Sequence, residues 1–195
     1  MATHQQLDLQ ITGPAQTRAI ALALAPLLTA GDLLILTGEL GAGKTTFTRS
    51  LGEGLGVREG VISPTFVLSR VHPNLPEGPR PGGPDLVHVD AYRLASPEEI
   101  DDLDLEYSLD RSVTVIEWGR DKAEHLSESI LDLEFTRLTG ADLAETDPYA
   151  LYAPGSWEEE ADEERPEPRR LRLIGQGPRW EQAWDQLTKA LKEAN

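Results

Sequence analysis

The apolar residues of this chain recur at spacings that predict strands alternating with helices. Apolar and polar residues alternate from Leu7 to Ile11, which predicts a half-buried strand. The continuous apolar run at 33–36 is too short for a helix and predicts a strand buried on both faces of a parallel sheet, and the short, mostly apolar segments at 86–89 and 113–116 predict two further strands. Further strands are predicted at 61–71, with an interruption at Ser63-Pro64, and at 130–135 and 171–174.

Helices are predicted where apolar residues recur every three or four positions. The first spans 15–28, and the second follows a glycine-rich loop, places Phe47, Leu51 and Leu55 on one face and ends at Gly56. Four apolar residues mark a C-terminal amphipathic helix: Trp180, Trp184, Leu187 and Leu191. Strands that alternate with helices predict an α/β layered domain, and because strands outnumber helices, one edge of the sheet is predicted to be antiparallel.

The charge of the chain is concentrated in one segment. The net charge is −16, and residues 141–168 contain ten acidic residues and one arginine. Such a segment buries too little apolar surface to offset its ordering entropy. We therefore predict a core at 1–140, an acidic flexible insertion at 141–168, and a strand and helix at 169–195 that complete the same domain.

The composition excludes several classes of protein. The chain has no cysteine, which excludes a disulfide scaffold, a thiolate metal site and cysteine catalysis. No apolar run approaches the roughly 20 residues that span a bilayer, and the N-terminus shows no signal peptide, so a cytoplasmic location is expected. The negative net charge argues against a protein that grips a nucleic-acid backbone by itself.

One segment fits the phosphate-binding pattern G-x-x-x-x-G-K-[ST] at every position: Gly38-Glu39-Leu40-Gly41-Ala42-Gly43-Lys44-Thr45. The glycines let successive N–H groups point at a polyphosphate, and the positive end of the following helix adds to them. Lys44 supplies a full charge to the β and γ phosphates, and the Thr45 hydroxyl is a ligand for Mg²⁺. The predicted fold is accordingly P-loop NTPase-like, with a mostly parallel, partly antiparallel central sheet.

A polyphosphate site also needs a carboxylate to hold the metal ion. Glu117 and Asp90 each close an apolar strand, where open α/β sheets bind ligands. The sequence does not rank them, and the alternative for each is a solvated acid at a strand end. His88 lies two residues before Asp90 and shares its face of the strand. Thr65, after a Ser-Pro pair, is either a γ-phosphate switch residue or part of a plain turn.

Four motifs follow one another along the chain: Gly38–Thr46, Ser63-Pro64-Thr65-Phe66, His88-Val89-Asp90-Ala91-Tyr92-Arg93-Leu94 and Ile116-Glu117-Trp118. In this order they resemble the TsaE (YjeE) family, small bacterial P-loop ATPases of the tRNA threonylcarbamoyladenosine (t6A) pathway. The resemblance covers about residues 5–136 and resumes more loosely at 170–195. The loop at 74–84 and the acidic insertion are longer than is usual in the family.

The resemblance implies ATP and Mg²⁺ as cofactors and the proteins TsaB and TsaD as partners. In this family TsaD transfers the threonylcarbamoyl group to the adenosine beside the anticodon, and ATP hydrolysis by TsaE resets the TsaB–TsaD complex between turnovers. The resemblance implies low intrinsic activity without the partners, and contact with tRNA only through the complex.

The resemblance also implies roles for individual residues. The phosphates are held by Gly41, Ala42, Gly43, Lys44, Thr45 and Thr46, and Mg²⁺ by Thr45 and Glu117. Asp90 is an active-site acid beside the metal that orients the attacking water, and Thr65 senses the γ-phosphate. Trp118 lies near the nucleotide pocket, and Thr17 matches an N-terminal threonine that contacts adenine.

Two other functions stay open on the residues alone. A small-molecule phosphotransferase needs an acceptor pocket and an arginine-bearing lid, for which Arg165, Arg169 and Arg170 are poor candidates because six acids precede them. A non-hydrolysing assembly module would use bound nucleotide only to fix its shape. Phosphate release, measured with and without a partner, separates these functions from an ATPase.

Overall fold

A mixed β-sheet forms the centre of the molecule. The computed structural model describes residues 4–138 and 168–195. In these residues seven strands form the sheet: β1 Gln5–Ile11, β2 Leu33–Gly38, β3 Ser69–His72, β4 Asp85–Asp90, β5 Ser112–Glu117, β6 Ile130–Arg137 and β7 Arg169–Gln176. Their order across the sheet is β1-β7-β6-β2-β5-β4-β3.

The four central strands, β6, β2, β5 and β4, run parallel to one another. Antiparallel strands flank them on both sides, because β3 pairs with β4 while β7 and β1 continue the sheet beyond β6. The predicted α/β fold with a mostly parallel core is confirmed. The prediction of one antiparallel edge was incomplete, because the short strand β3 turns back onto β4 at the other edge.

Five α-helices are present in the described residues: α1 Pro14–Leu24, α2 Lys44–Leu55, α3 Pro97–Asp101, α4 Glu106–Leu109 and α5 Pro178–Ala194. One 3₁₀ turn, Ala25–Leu27, follows α1, and another, Glu124–Leu126, lies between β5 and β6. Helix α2 ends as predicted at Gly56, whose left-handed φ of 70° closes the last turn. The C-terminal helix is also confirmed, with its four marker residues buried.

The helices cover the sheet unequally. On one face, α1, α2 and α5 pack over the larger apolar cluster, in which Trp180 and Phe47 are fully buried. A smaller cluster on other strand positions packs against Ile100 and Leu105. Phe47 meets Phe135 of β6 edge to face, with 5.7 Å between ring centroids. This contact fixes the first turns of α2 over the centre of the sheet.

The strand predicted at 61–71 was wrong for most of its length. Only Ser69–His72 forms a strand, and the chain before it turns through hydrogen bonds from the Val67 and Leu68 amides to the Pro64 carbonyl. Leu68 adopts a positive φ of 63° there. The apolar residues that suggested a strand are largely solvent-exposed, including Phe66 at 87%.

The loop between β3 and β4 is held against the helices. The Asn74 amide donates to the carbonyl oxygens of Leu55 and Arg80 at 2.9 and 3.0 Å. Arg80 in turn donates to the carbonyl oxygens of Ala25 and Leu28, both at 2.8 Å. The loop thus caps the ends of α2 and of the turn that follows α1.

The acidic insertion predicted at 141–168 lies outside the described residues except for Pro168, so the division at 1–140, 141–168 and 169–195 stays a prediction. The strands on either side pair antiparallel up to Arg137 and Arg169, and the Leu138 amide donates to the Pro168 carbonyl at 3.0 Å. Within the described residues, no helix combines the length and apolarity needed to cross a bilayer.

Candidate functional site

The glycine-rich loop joins the end of β2 to the start of α2. Gly38, Gly41 and Gly43 all have positive φ, at 146°, 76° and 106°. A Cβ at Gly38 would collide with the Phe135 carbonyl group on the neighbouring strand. The loop therefore needs glycine both for its left-handed turns and for its close approach to β6.

Lys44, the first residue of α2, folds back over this loop. Its ammonium donates to the carbonyl oxygens of Gly38 and Glu39 at 2.7 and 2.9 Å and lies 3.8 Å from the centroid of the Trp118 ring. Burial lowers the pKa of Lys44, and the carboxylates of Glu117 and Asp90 partly oppose that shift. The ammonium is thus buried beside the loop, where a polyphosphate would compete for it.

Glu117 at the end of β5 faces the start of α2. The Thr45 hydroxyl donates to its two carboxylate oxygens at 2.9 and 3.0 Å. The fully buried His88 on β4 contacts the same carboxylate through Nε2, at 2.8 Å from Oε1. Glu117 is therefore held from two sides. His88 had been predicted to share a strand face with Asp90, but its contact with Glu117 was not predicted from the sequence.

Asp90 at the end of β4 is the register partner of Glu117. Its Oδ2 accepts hydrogen bonds from the Ser63 and Thr65 hydroxyls, both at 2.7 Å, and its Oδ1 accepts from the Tyr92 amide at 3.1 Å. Burial alone would raise the pKa of Asp90, but these hydrogen bonds together hold it below its usual value. Asp90 is therefore ionised at neutral pH.

Trp118 follows Glu117 in a conformation that bulky residues rarely adopt, with φ at 63°. Its amide donates to the Leu36 carbonyl at 2.8 Å, and its ring meets Tyr92 edge to face at 5.2 Å. The backbone is thereby turned so that the indole covers Lys44. Such strain is typical of functional sites, where surrounding contacts maintain it.

Thr46 and Thr17 were also predicted as site residues, and their described hydrogen bonds lie within or beside their own helices. Thr46 lies in the first turn of α2, and its carbonyl accepts a hydrogen bond from Ser50. Thr17 is buried in α1, and its hydroxyl donates to the Gly13 carbonyl at 3.3 Å. Among the described contacts, the hydrogen bonds of Thr17 stay at the start of α1 and do not reach the loop, so its contact with adenine stays a prediction.

Two arginines that the sequence interpretation did not place in the site also contact the loop. Arg137 at the end of β6 donates to the Leu40 carbonyl at 3.3 Å, and Arg169 at the start of β7 donates to the Ala42 carbonyl at 3.1 Å. The register of β6 on β2 holds the signal that could have found Arg137. Gly38 pairs with Phe135, so the chain two residues further on lies beside the loop.

We call Lys44, His88, Asp90 and Glu117 the strand-end cluster. These ionisable side chains are all at most 5% exposed. The residues alone did not rank Asp90 and Glu117 as metal ligands, whereas the family resemblance implied Glu117, and the contact with Thr45 also favours Glu117. The structure brings the cluster together from the ends of β4 and β5 and the start of α2.

The site fits a nucleotide with Mg²⁺. Gly43 is the N-cap of α2 and supplies no side-chain cap, which leaves the N–H groups of the first turn without intrahelical acceptors. Thr45 and Glu117 supply the hydroxyl and carboxylate oxygens that Mg²⁺ prefers. Among the described residues no three histidine, aspartate or glutamate side chains are close enough to hold a metal by themselves, but phosphate oxygens usually complete such a site.

A buried parallel strand, a glycine loop with left-handed turns and a helix that begins at the lysine define a P-loop α/β protein. The family model described as "Threonylcarbamoyl adenosine biosynthesis protein TsaE" matches residues 11–143. The chain therefore belongs to the TsaE family of threonylcarbamoyladenosine biosynthesis proteins, and the predicted resemblance is confirmed.

Curated relatives and a solved structure agree with this assignment. The chain is 58% identical over 124 residues to the TsaE protein of Streptomyces coelicolor, covering 63% of this chain and 80% of the relative. It is 38% identical over 134 residues to TsaE of Bacillus subtilis, covering 68% and 79%. The crystal structure of Bacillus subtilis YdiB aligns with a TM-score of 0.65 and 26% identity over 96% of this chain and 97% of that one.

Proposed function

We propose that this chain is an Mg²⁺-dependent cytoplasmic ATPase that binds the TsaB–TsaD complex and supports repeated formation of threonylcarbamoyladenosine beside the anticodon of tRNAs. Membership of the TsaE family supports the pathway. One observation carries the ATPase assignment: the Thr45 hydroxyl, at the base of the phosphate loop, directly contacts the buried carboxylate of Glu117.

Each buried group has a distinct role in the proposed reaction. Lys44 exchanges its two loop carbonyl groups for oxygens of the β and γ phosphates, which a charge-assisted hydrogen bond favours. Thr45 and Glu117 hold Mg²⁺, with His88 fixing the carboxylate. When bound, Mg²⁺ neutralises charge on the phosphate oxygens.

Asp90 positions the attacking water instead of removing its proton. A general base works best with a pKa near the operating pH, and the pKa of Asp90 is held below its usual range. The ionised carboxylate is therefore a weak base but a good hydrogen-bond acceptor. Thr65, bonded to Asp90 at 2.7 Å, is placed to link this acid to the γ-phosphate.

Exposed apolar side chains around the site support docking on a partner protein. Leu40 at the tip of the loop is 84% exposed, Phe66 is 87% exposed and Tyr92 is 64% exposed. These side chains belong to the segments that carry the loop, Thr65 and Asp90, and exposed apolar patches are typical of protein interaction sites. The net charge of −16 disfavours direct contact with a tRNA backbone, so we expect tRNA to be reached through TsaB–TsaD.

Phosphate release from ATP tests this function directly. The wild-type chain should release phosphate slowly alone and faster with TsaB–TsaD, in each case only with Mg²⁺. Lys44→Ala should lose this activity, and Lys122→Ala is its matched control, because the Lys122 ammonium also donates to two main-chain carbonyl groups but lies outside the loop. Transfer of label to a small acceptor would instead support a phosphotransferase, and binding without turnover in the complex would support an assembly module.

A further inference from the structure

We propose that Arg137 and Arg169 are positioning residues that hold the outward-facing carbonyl groups of the phosphate loop, so that the amide groups between them stay turned toward the nucleotide. The inference rests on the proposed nucleotide-binding role of the loop. It adds to that role a pair of cations, supplied by the two strands that flank the acidic insertion.

The sheet brings both arginines to the same place. They are register partners at the open end of the β6–β7 hairpin, and β6 lies directly beside β2, which leads into the loop. Their guanidinium groups donate to alternate carbonyl groups of the loop, Arg137 to Leu40 and Arg169 to Ala42. Contact with alternate carbonyl groups suits a loop in which successive amide groups are needed on the other side.

The glycines of the loop show how closely the arginines approach. A Cβ at Gly41 would lie 2.9 Å from Nη2 of Arg137, and a Cβ at Gly43 would lie 2.9 Å from Nη1 of Arg169. Any side chain at either position would displace the guanidinium group. Gly41 and Gly43 therefore provide room for the arginines as well as the positive φ of the turn.

The arginines differ from Lys44 in what nucleotide binding requires of them. Lys44 now donates to the carbonyl groups of Gly38 and Glu39 and must release them to reach a phosphate. Arg137 and Arg169 contact the loop from the side of β6 and β7, so their hydrogen bonds remain when the ammonium moves. They keep the loop in shape during this exchange and add two positive charges beside an anion site in an acidic chain.

Binding of a fluorescent ADP analogue tests the proposal, with and without Mg²⁺. Arg169→Ala should weaken binding about 10-fold, because it removes a half-buried hydrogen bond from a charged donor to the loop. Arg137→Ala should weaken it about 3-fold, since its bond is longer and its side chain more exposed. Arg169→Lys should fall between Arg169→Ala and wild type, because it keeps the charge without the planar fork.

Arg172→Ala is the matched control. It removes the same charge from the same strand, but Arg172 is paired with Asp8 at 2.9 Å, away from the loop. We expect wild-type affinity in this variant.

In ATP hydrolysis, Arg169→Ala should raise KM with kcat nearly unchanged, because the lost interaction stabilises bound substrate and transition state alike.

The outcomes separate this inference from the proposed function. If the wild-type chain does not bind the analogue, the proposed function fails. If wild type binds and the Arg169 and Arg172 variants bind equally well, only the positioning role is overturned. Melting temperatures without nucleotide identify any variant that fails to fold; in that case Arg169→Lys and Arg137→Ala decide, and wild-type affinity in both overturns the proposal.

Discussion

The antiparallel side of the sheet and the strand-end cluster are built from opposite kinds of buried residue. We use "antiparallel side" for β1, β7 and α5. Every side chain described there as buried is apolar, and the Asp8–Arg172 ion pair is partly exposed. The strand-end cluster, by contrast, buries two carboxylates, an ammonium and an imidazole within one small region.

This difference separates what stabilises the fold from what carries the proposed chemistry. Burial of apolar surface contributes roughly 25 cal/mol per Å², so the antiparallel side stabilises the molecule. Burial of a charge costs free energy that hydrogen bonds and ion pairs only offset. Substitutions of the buried apolar side chains on the antiparallel side should therefore lower stability and spare nucleotide binding, whereas substitutions in the cluster should weaken nucleotide binding and have smaller effects on stability.

The largest effect is expected for Trp180→Ala on the antiparallel side. Trp180 is fully buried, and truncation of such a side chain typically lowers the free energy of unfolding by about 3–5 kcal/mol. Urea denaturation measures this loss, and Trp180→Phe should lose less because it leaves a smaller cavity. A folded Trp180→Ala protein that has lost its nucleotide affinity would contradict the proposed separation of the two regions.

Next in size is the effect of Lys44→Ala on nucleotide affinity. The variant loses the ammonium that lies at the base of the loop, and we expect ATP binding to weaken by at least about 100-fold. The free energy of unfolding should change little, because a desolvated charge is removed along with its hydrogen bonds. Titration with a fluorescent ATP analogue measures the affinity, and Lys122→Ala should bind as wild type does. Equal affinity in the Lys44 and Lys122 variants would exclude the loop as the nucleotide site.

A smaller effect, specific to the metal, is expected for Glu117→Gln. Glutamine still accepts a hydrogen bond from Thr45 but no longer supplies a charge to Mg²⁺. We expect the gain in ATP affinity on adding Mg²⁺ to fall about 10-fold, while affinity measured with EDTA is unchanged or tighter. Glu134→Gln, which makes the same chemical change on strand β6, separated from β5 by β2, is the control. If the Mg²⁺-dependent gain persists in Glu117→Gln and vanishes in Asp90→Asn, the metal role belongs to Asp90.

The two regions also differ in how far the sequence predicts them. The antiparallel side follows local patterns, since Leu171 and Leu173 alternate with polar residues and Trp180 and Trp184 lie one helical turn apart. The segment at 61–71 shows where such patterns fail. Its residue types suit a strand, but the Ser63 and Thr65 hydroxyls bond to Asp90, more than twenty residues away, and no local signal contains that contact.

In the site, the motif predicted Lys44 and Thr45, and the strand-end rule predicted two carboxylates. The order of the strands brings Glu117 to Thr45, because β5 lies beside β2, and the assignment of the metal to Glu117 stays a prediction. Strand order is a property of the whole sheet and is not written in any one segment. Arg169 was rejected as a lid residue, and its place beside the loop likewise depends on the whole sheet. Its acidic neighbours in sequence suggested a poor lid, whereas the sheet places its side chain against Ala42.

The smallest effect is a pH dependence at Asp90, which connects the cluster to stability. Because the pKa of Asp90 is lower in the folded chain than its ordinary value of about 3.9, the ionised carboxylate contributes stability that is fully present above that value. This contribution is lost as the pH falls through the lower pKa of the folded state. The advantage of wild type over Asp90→Asn in urea denaturation should therefore be constant from pH 7 to about pH 5 and shrink below about pH 4. Asp110→Asn, the same chemical change at a side chain that is 83% exposed, should show no such advantage. An advantage of wild type over Asp90→Asn that grows on acidification would mean that the hydroxyl groups of Ser63 and Thr65 do not stabilise the ionised form.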